Sequence, residues 1–220
     1  MENETLELRL AALREATAER NPFVTELHER LFAELAESVV PNVRKVGDQA
    51  PDFELRSAAD DRPMRLSWLL DVGPVLISFY RGFWCPYSNV ELSELVQAYP
   101  QIRKLGGVPL YVGPETRMNA AKMRAKWNSP FPVLYDADGH AMDAFGTSFE
   151  MPDYLHDDYR QIGLPNLNPG TGWRLPIPAT FLIDQMGVIR ARHVDADFTR
   201  RAEPIDILAA LKRVRSRIAA

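Results

Sequence analysis

The chain has one cysteine in 220 residues, Cys85, so no internal disulfide can form and any disulfide must join this thiol to another molecule. That usage fits a reducing compartment. No apolar run approaches the length needed to cross a bilayer, and Met1-Glu2-Asn3-Glu4 is acidic where a secretory leader needs positive charge. A cytoplasmic protein without a membrane partner is the expectation. His28, His140, His156 and His193 show no pairing at helical spacing and no cysteine nearby, so no transition-metal site is readable. Asp136-Ala137-Asp138-Gly139 opens like a calcium loop, but its twelfth position is Thr147 rather than a glutamate, and the string reads as a turn. The glycines form no phosphate-cradling pattern, and no cofactor is expected. With a net charge of -4 and basic residues interspersed with acidic ones, there is no basic face for nucleic acid.

What is present is enough for one substantial core: 46% of the residues are apolar and no composition break marks a second large domain. Leu6, Leu10 and Leu13, then Phe23, Leu27, Leu31 and Leu35, recur at helical spacing around Asn21-Pro22. Asn21 is a good N-cap for the second helix. Residues 1–44 are therefore expected to form a helical extension, packed either on the domain of residues 45–220 or on a second subunit as a homodimer. From Val46 onward strand and helix signals alternate, which predicts an α/β fold with a central mixed sheet flanked by helices. Short strands are expected at 53–55, 64–66, 75–79, 108–112 and 133–135, with a helix over 117–127 and a hairpin of 180–184 and 188–193. Pro109 is awkward for a central strand, and Pro100 should kink or restart the helix that follows Cys85. The final helix should open near Pro204 and turn Ile205, Leu208, Leu211 and Ile218 inward. The stretch from Phe149 to Leu175, rich in Pro, Gly and Asn, reads as a long loop of the kind that often carries function.

Cys85 lies between the apolar run Val75-Leu76-Ile77-Ser78-Phe79 and a helix whose inner face is Leu92, Leu95, Val96 and Tyr99. Pro86 suits the first helical position, which leaves the amides of Tyr87 and Ser88 free to point at the sulfur. Those amides and the helix dipole favour thiolate over thiol.

Three strings resemble one family in order. Val46-Gly47-Asp48-Gln49-Ala50-Pro51-Asp52-Phe53 is similar to the opening of the alkyl hydroperoxide reductase and thiol-specific antioxidant (AhpC/TSA) family. Phe79 to Ser88 resembles that family's thioredoxin-like members, which often carry a second cysteine where this chain has Ser88. Ile177 to Asp184, with Gly187-Val188-Ile189, resembles its proline, strand and hairpin element. The resemblance spans roughly residues 46–215 and implies a thioredoxin-like fold and a peroxiredoxin-like thiol peroxidase. It also implies Cys85 as the attacking residue, hydroperoxide as substrate, and an external thiol such as thioredoxin or glutathione as reductant. Two departures stand out. The usual threonine and proline positions hold Gly82 and Ser78, and the strand position of the usual arginine holds Pro178. Pro178 instead resembles the thioredoxin-type proline facing the thiol after a cis bond from Ile177.

Candidate catalytic residues are thus Cys85, Arg81 as a nearby cation, and Ser88 as either a sulfur partner or a residue satisfying the helix end. Trp84, Pro178 and Trp173 are candidates for shaping the substrate pocket, and Arg174 is a weaker candidate cation. A monothiol oxidoreductase acting on mixed disulfides and a redox-sensing module are the alternative functions.

Overall fold

In a computed structural model, residues 5–218 are described, apart from the side chains of Arg217 and Ile218. Seven strands form one mixed sheet in the order β2-β1-β5-β4-β3-β8-β9: β1 Glu54–Ser57, β2 Pro63–Arg65, β3 Val75–Phe79, β4 Val108–Gly113, β5 Val133–Tyr135, β8 Ala179–Ile183 and β9 Ile189–Val194. The central pairs β3/β4 and β4/β5 are parallel, joined through α4 (Pro86–Lys104) and α5 (Arg117–Lys126), and the remaining pairs are antiparallel. Parallel neighbours need such crossovers, and both helices cover the same sheet face, while Leu31 and Leu35 near the N-terminus and Ala141, Met142 and Leu155 help to cover the other.

Strand alternation divides the core. Val75, Ile77 and Phe79 join Leu110, Val112, Phe181 and Ile183 on one face, whereas Leu76 and Tyr80 join Tyr111 and Leu182 on the other, under α4 and α9 (Pro204–Ile218). Ser78 falls on this second face beside its cross-strand partner Thr180, and the two hydroxyls hydrogen-bond at 3.0 Å, so neither is buried unpaired. Pro109 is tolerated in β4 because Val108 N–H points to β3, bonding Pro74, so that the missing N–H of Pro109 faces the β5 side. There pairing starts only at Tyr111.

Several expectations need correction. The helix after Cys85 does not restart at Pro100 but runs unbroken to Lys104; Pro100 is exposed, so the carbonyl it leaves unbonded can be met by water while Leu95, Ala98 and Ile102 stay buried. The last helix turns Ile207, Ala210, Leu211 and Val214 inward, and Ile205 is 73% exposed; the side chain of Ile218 lies outside the described residues. Phe23 is also exposed. The stretch 149–175 is not a loop. It opens in β6 (Ser148–Glu150), closes in β7 (Arg174–Pro176) as an antiparallel pair, and holds a 3-10 turn and two short helices, α7 (His156–Gln161) and α8 (Leu164–Leu167), between them.

The N-terminal helices α1 (Leu6–Arg20) and α2 (Pro22–Ser38) pack on the same chain. Thr5 and Asn21 cap them, accepting from the N–H groups of Leu8 and Val24. Leu31 and Leu35 enter the main core, and Leu6, Leu10 and Phe32 close around Cys85, Tyr87 and Phe198. Arg14 of α1 bonds Asp197 at 2.8 Å, and Asp197 also accepts from the N–H and hydroxyl of Thr199, which fixes the segment carrying Phe198.

Candidate active site

β3 ends at Phe79 and the chain turns through Arg81 to Cys85 before α4 begins. Three groups hold this turn. Cys85 N–H bonds the Gly82 carbonyl at 3.0 Å; Asn89 donates from its side chain to the carbonyls of Phe83 and Cys85; and Glu115 accepts from Phe83 N–H at 2.9 Å and from the Tyr80 hydroxyl. Tyr80 itself stacks on Tyr111 at 4.2 Å. Burial pushes the Glu115 carboxyl up to about 7, although its hydrogen bonds from Tyr80 and Phe83 pull the other way.

Gly82 explains the absent threonine. Its φ is +151°, and a Cβ there would stand 2.2 Å from the indole Nε1 of Trp84. The indole thus occupies the space a side chain at position 82 would need.

Cys85 exposes no surface of its own, yet forms part of the wall of an open cleft of about 290 Å³. Three segments build that cleft: Thr17, Asn21, Val24 and His28 from the N-terminal helices and the residue between them, Arg81 and Trp84 to Tyr87 from the turn and the start of α4, and Asp158, Tyr159, Gln161 and Ile162 from α7 and the residue after it, with Phe198 alongside. The expected bonds from helix amides to the sulfur are not made: Cys85 occupies the N-cap position of α4, but its side chain accepts from no backbone N–H. The sulfur belongs instead to the apolar cluster of Leu6, Leu10, Phe32, Tyr87 and Phe198.

The charge beside it comes from Arg81, 2% exposed. Its guanidinium donates from Nη2 to the Tyr159 hydroxyl at 2.5 Å and lies 3.8 Å from the centre of the Phe198 ring, with the Trp84 and Tyr159 rings at 5.2 and 5.5 Å. Burial disfavours the charged guanidinium, but attraction to Tyr159 and to the Cys85 sulfur outweighs it, and its pKa is raised. Among the described residues no carboxylate forms an ion pair with Arg81, and its Nε–H has no hydrogen-bond partner. Beyond Tyr159, its hydroxyl meets His28 Nε2 at 3.1 Å. Burial first, and then repulsion from Arg81, depress His28 to about 3, so it is neutral.

The remaining candidates are dispersed. Ser88 neither bonds the sulfur nor caps the helix: packing of α4 on β4 encloses it, its hydroxyl has no partner, and its carbonyl accepts from Tyr111. The bond before Pro178 is trans, since the described residues contain no cis peptide. Strand register sets Pro178 one step beyond the Phe79/Ala179 pair, level with Tyr80, and it takes no part in the cleft wall. Trp173 does not cover the thiol, because closure of β6 on β7 carries it to His156, on which it stacks at 3.8 Å. Arg174 pairs with Asp143 and the Asp138 carbonyl. Asp136 accepts from the N–H groups of Ala141 and Met142 at the start of α6 (His140–Ala144), which accounts for the acidic string. A larger cleft, about 640 Å³, lies between α1 and residues 193–206, away from Cys85.

Tyr159, His28, Glu115 and Phe198 escaped sequence reasoning because none stands near Cys85 in the chain. The weak signal for Glu115 was an acidic residue two positions after an apolar strand.

The family model for the AhpC/TSA family matches residues 46–192. The chain belongs to this family. Its curated relatives include the thiol-disulfide oxidoreductase ResA of Geobacillus thermodenitrificans, 27% identical over 66% of this chain and 67% of that protein. The selenocysteine-containing peroxiredoxin PrxU of Peptoclostridium acidaminophilum is 29% identical over 46% of this chain and 54% of its own. Among solved structures, peroxidoxin BcpB of Mycobacterium tuberculosis superposes with a TM-score of 0.61 at 22% identity, covering 77% of this chain and 97% of the other. These matches carry the thioredoxin-like α/β architecture expected from the sequence. The helices α1 and α2 lie outside the matched family segment.

Proposed function

We propose that this AhpC/TSA family protein is a thiol-dependent peroxidase whose nucleophile is Cys85 and whose buried cation is Arg81. The observation that supports it is the charge balance. A guanidinium cut off from water requires a nearby anion, and the group that Arg81 faces without a carboxylate partner is the only cysteine. In thiolate form that cysteine is both the counter-ion and the nucleophile.

In the reaction the thiolate attacks one oxygen of the hydroperoxide, an S–O bond forms, the O–O bond breaks, and the departing alkoxide or hydroxide leaves as alcohol or water after taking a proton. Cys85 becomes a sulfenic acid. Two equivalents of an external thiol then return it to the thiol, giving a disulfide and water; thioredoxin and glutathione are the reductants of suitable chemistry. With Ser88 in the place of a second cysteine, resolution has to come from outside. Cys85 exposes no surface of its own but lines the open cleft, and a peroxide approaches it from there. A single cysteine with no internal disulfide fits a reducing compartment, and on that ground we place the reaction in the cytoplasm; no helix among the described residues is long and apolar enough to cross a membrane.

Reduced protein treated with one equivalent of hydrogen peroxide and a sulfenic-acid trap should show the added mass on the Cys85 peptide, and Cys85→Ser should abolish it. The similarity to ResA favours disulfide exchange as a second reading. Slow trapping together with rapid exchange with a glutathione-capped peptide would select it.

A further inference from the structure

The chain of contacts leading away from Arg81 has a direction. A guanidinium only donates, so in the 2.5 Å bond from Arg81 Nη2 the Tyr159 oxygen is the acceptor. The single Tyr159 proton is then free for His28 Nε2, 3.1 Å away, and that nitrogen accepts only when the ring is neutral with its proton on Nδ1. Each member comes from a different part of the fold: Arg81 from the turn after β3, Tyr159 from α7, His28 from α2. All three line the Cys85 cleft. The rings fix the arrangement further. His28 meets Phe198 edge-on at 4.9 Å, Trp84 meets Tyr159 edge-on at 5.8 Å, and Phe198 lies against the guanidinium.

We propose that Tyr159 and His28 are positioning residues that hold the Arg81 guanidinium on Cys85, leaving its unpartnered Nε–H as the donor for the oxygen on which charge develops. This rests on the peroxidase reading. The usual family hydroxyl is missing at Gly82, and Arg81 carries a buried N–H with no protein partner in the same cleft. Without the Tyr159 bond, a guanidinium held otherwise by aromatic faces is free to rotate about its side chain, and a donor out of line contributes little to a developing anion. The N-terminal helix pair, outside the matched family segment, thereby becomes part of the chemistry.

The test uses the full chain with Tyr159→Phe, His28→Leu and His28→Gln, the last keeping an acceptor oxygen for the Tyr159 hydroxyl. Two rates are measured at pH 7 on reduced protein: sulfenic-acid formation with stoichiometric hydrogen peroxide, and alkylation of Cys85 by iodoacetamide. Tyr159→Phe and His28→Leu should each slow both reactions by about tenfold, the scale of one well-placed hydrogen bond to a charged group. His28→Gln should recover most of the loss, which a purely space-filling role for the imidazole does not predict. Tyr159→Phe keeps the ring and carries the test if His28→Leu fails to fold. Tyr159→Phe reacting at the parent rate, or His28→Gln falling as far as His28→Leu, overturns the proposal. If the parent protein is alkylated readily but forms no sulfenic acid, the peroxidase reading fails, and the alkylation rates alone still decide for or against the positioning pair.

Discussion

A guanidinium enclosed by protein needs an anion close by, and in the proposed site that anion is the thiolate of Cys85. That dependence is measurable without any peroxide. Replacing Cys85 by serine removes the counter-charge and leaves the cation buried, which should cost about 3–5 kcal/mol of unfolding free energy at neutral pH. Adding Arg81→Met to Cys85→Ser removes the stranded charge, so the double variant should be more stable than Cys85→Ser alone by at least about 1 kcal/mol. Urea unfolding of the four reduced proteins reads the coupling directly; strictly additive effects would show that the two side chains do not share a charge. Cys85 and Arg81 could be nominated from the sequence because both sit in the turn itself. Ser88 was misread for a related reason: its spacing from Cys85 is right, but the spacing does not reveal that the packing of α4 on β4 encloses it.

At the level of elements, α1 and α2 are built into the molecule. Leu31 of α2 is 1% exposed and joins the same apolar cluster as Val75, Ile77 and Phe79 of the central strand. Leu31→Ala should therefore destabilise the whole domain by about 2–5 kcal/mol in a single cooperative urea transition. An unchanged midpoint, or an early separate transition for the helices, would show that they are an independent appendage. The helices could be read from their repeat of leucines, whereas their docking could not, since an apolar stripe fits a neighbouring subunit as well as its own chain. The segment 149–175 failed in the opposite way. Its elements are three to six residues long, too short to show a period, and its Pro and Gly residues signal turns without saying what lies between them. Yet α7 supplies Tyr159, and Trp173, stacked on His156 at the start of that helix, braces it from outside the cleft.

For the molecule as a whole, a buried carboxyl and a half-buried imidazole around the site give stability opposite pH slopes. Glu115 is raised from 4.5 to about 7, so its contribution is fully present below pH 4.5 and is lost as pH rises through 7, a change of roughly 3 kcal/mol. Glu91 and Asp136, also raised by burial, act in the same sense. His28 is depressed from 6.5 to about 3; its contribution is fully present above pH 6.5 and is lost as pH falls through 3, with a ceiling of roughly 4–5 kcal/mol. Unfolding free energy measured in urea between about pH 3 and 9 should peak at about pH 5–6.5. Glu115→Gln should flatten the alkaline arm and His28→Gln the acid arm. A Glu115→Gln profile that superposes on the parent above pH 5 would mean that the carboxyl is ionised throughout.

The amino-acid sequence by itself determined the order of the seven sheet strands and the long helices, the two-faced sheet, the family strings and the placing of Cys85 at a helix start. All of these rest on local periodicity and on neighbours within a few residues. Tertiary structure alone decided what surrounds the sulfur. The helix amides were expected to be its partners, but folding put it among apolar side chains and beside a guanidinium that bonds Tyr159, which in turn meets His28, pairs 78 and 131 positions apart along the chain. Side chains from three separate segments meet in one cleft only after the core has closed. Their charges and hydrogen bonds acquire their strength from that closure, and no pattern along the chain encodes it.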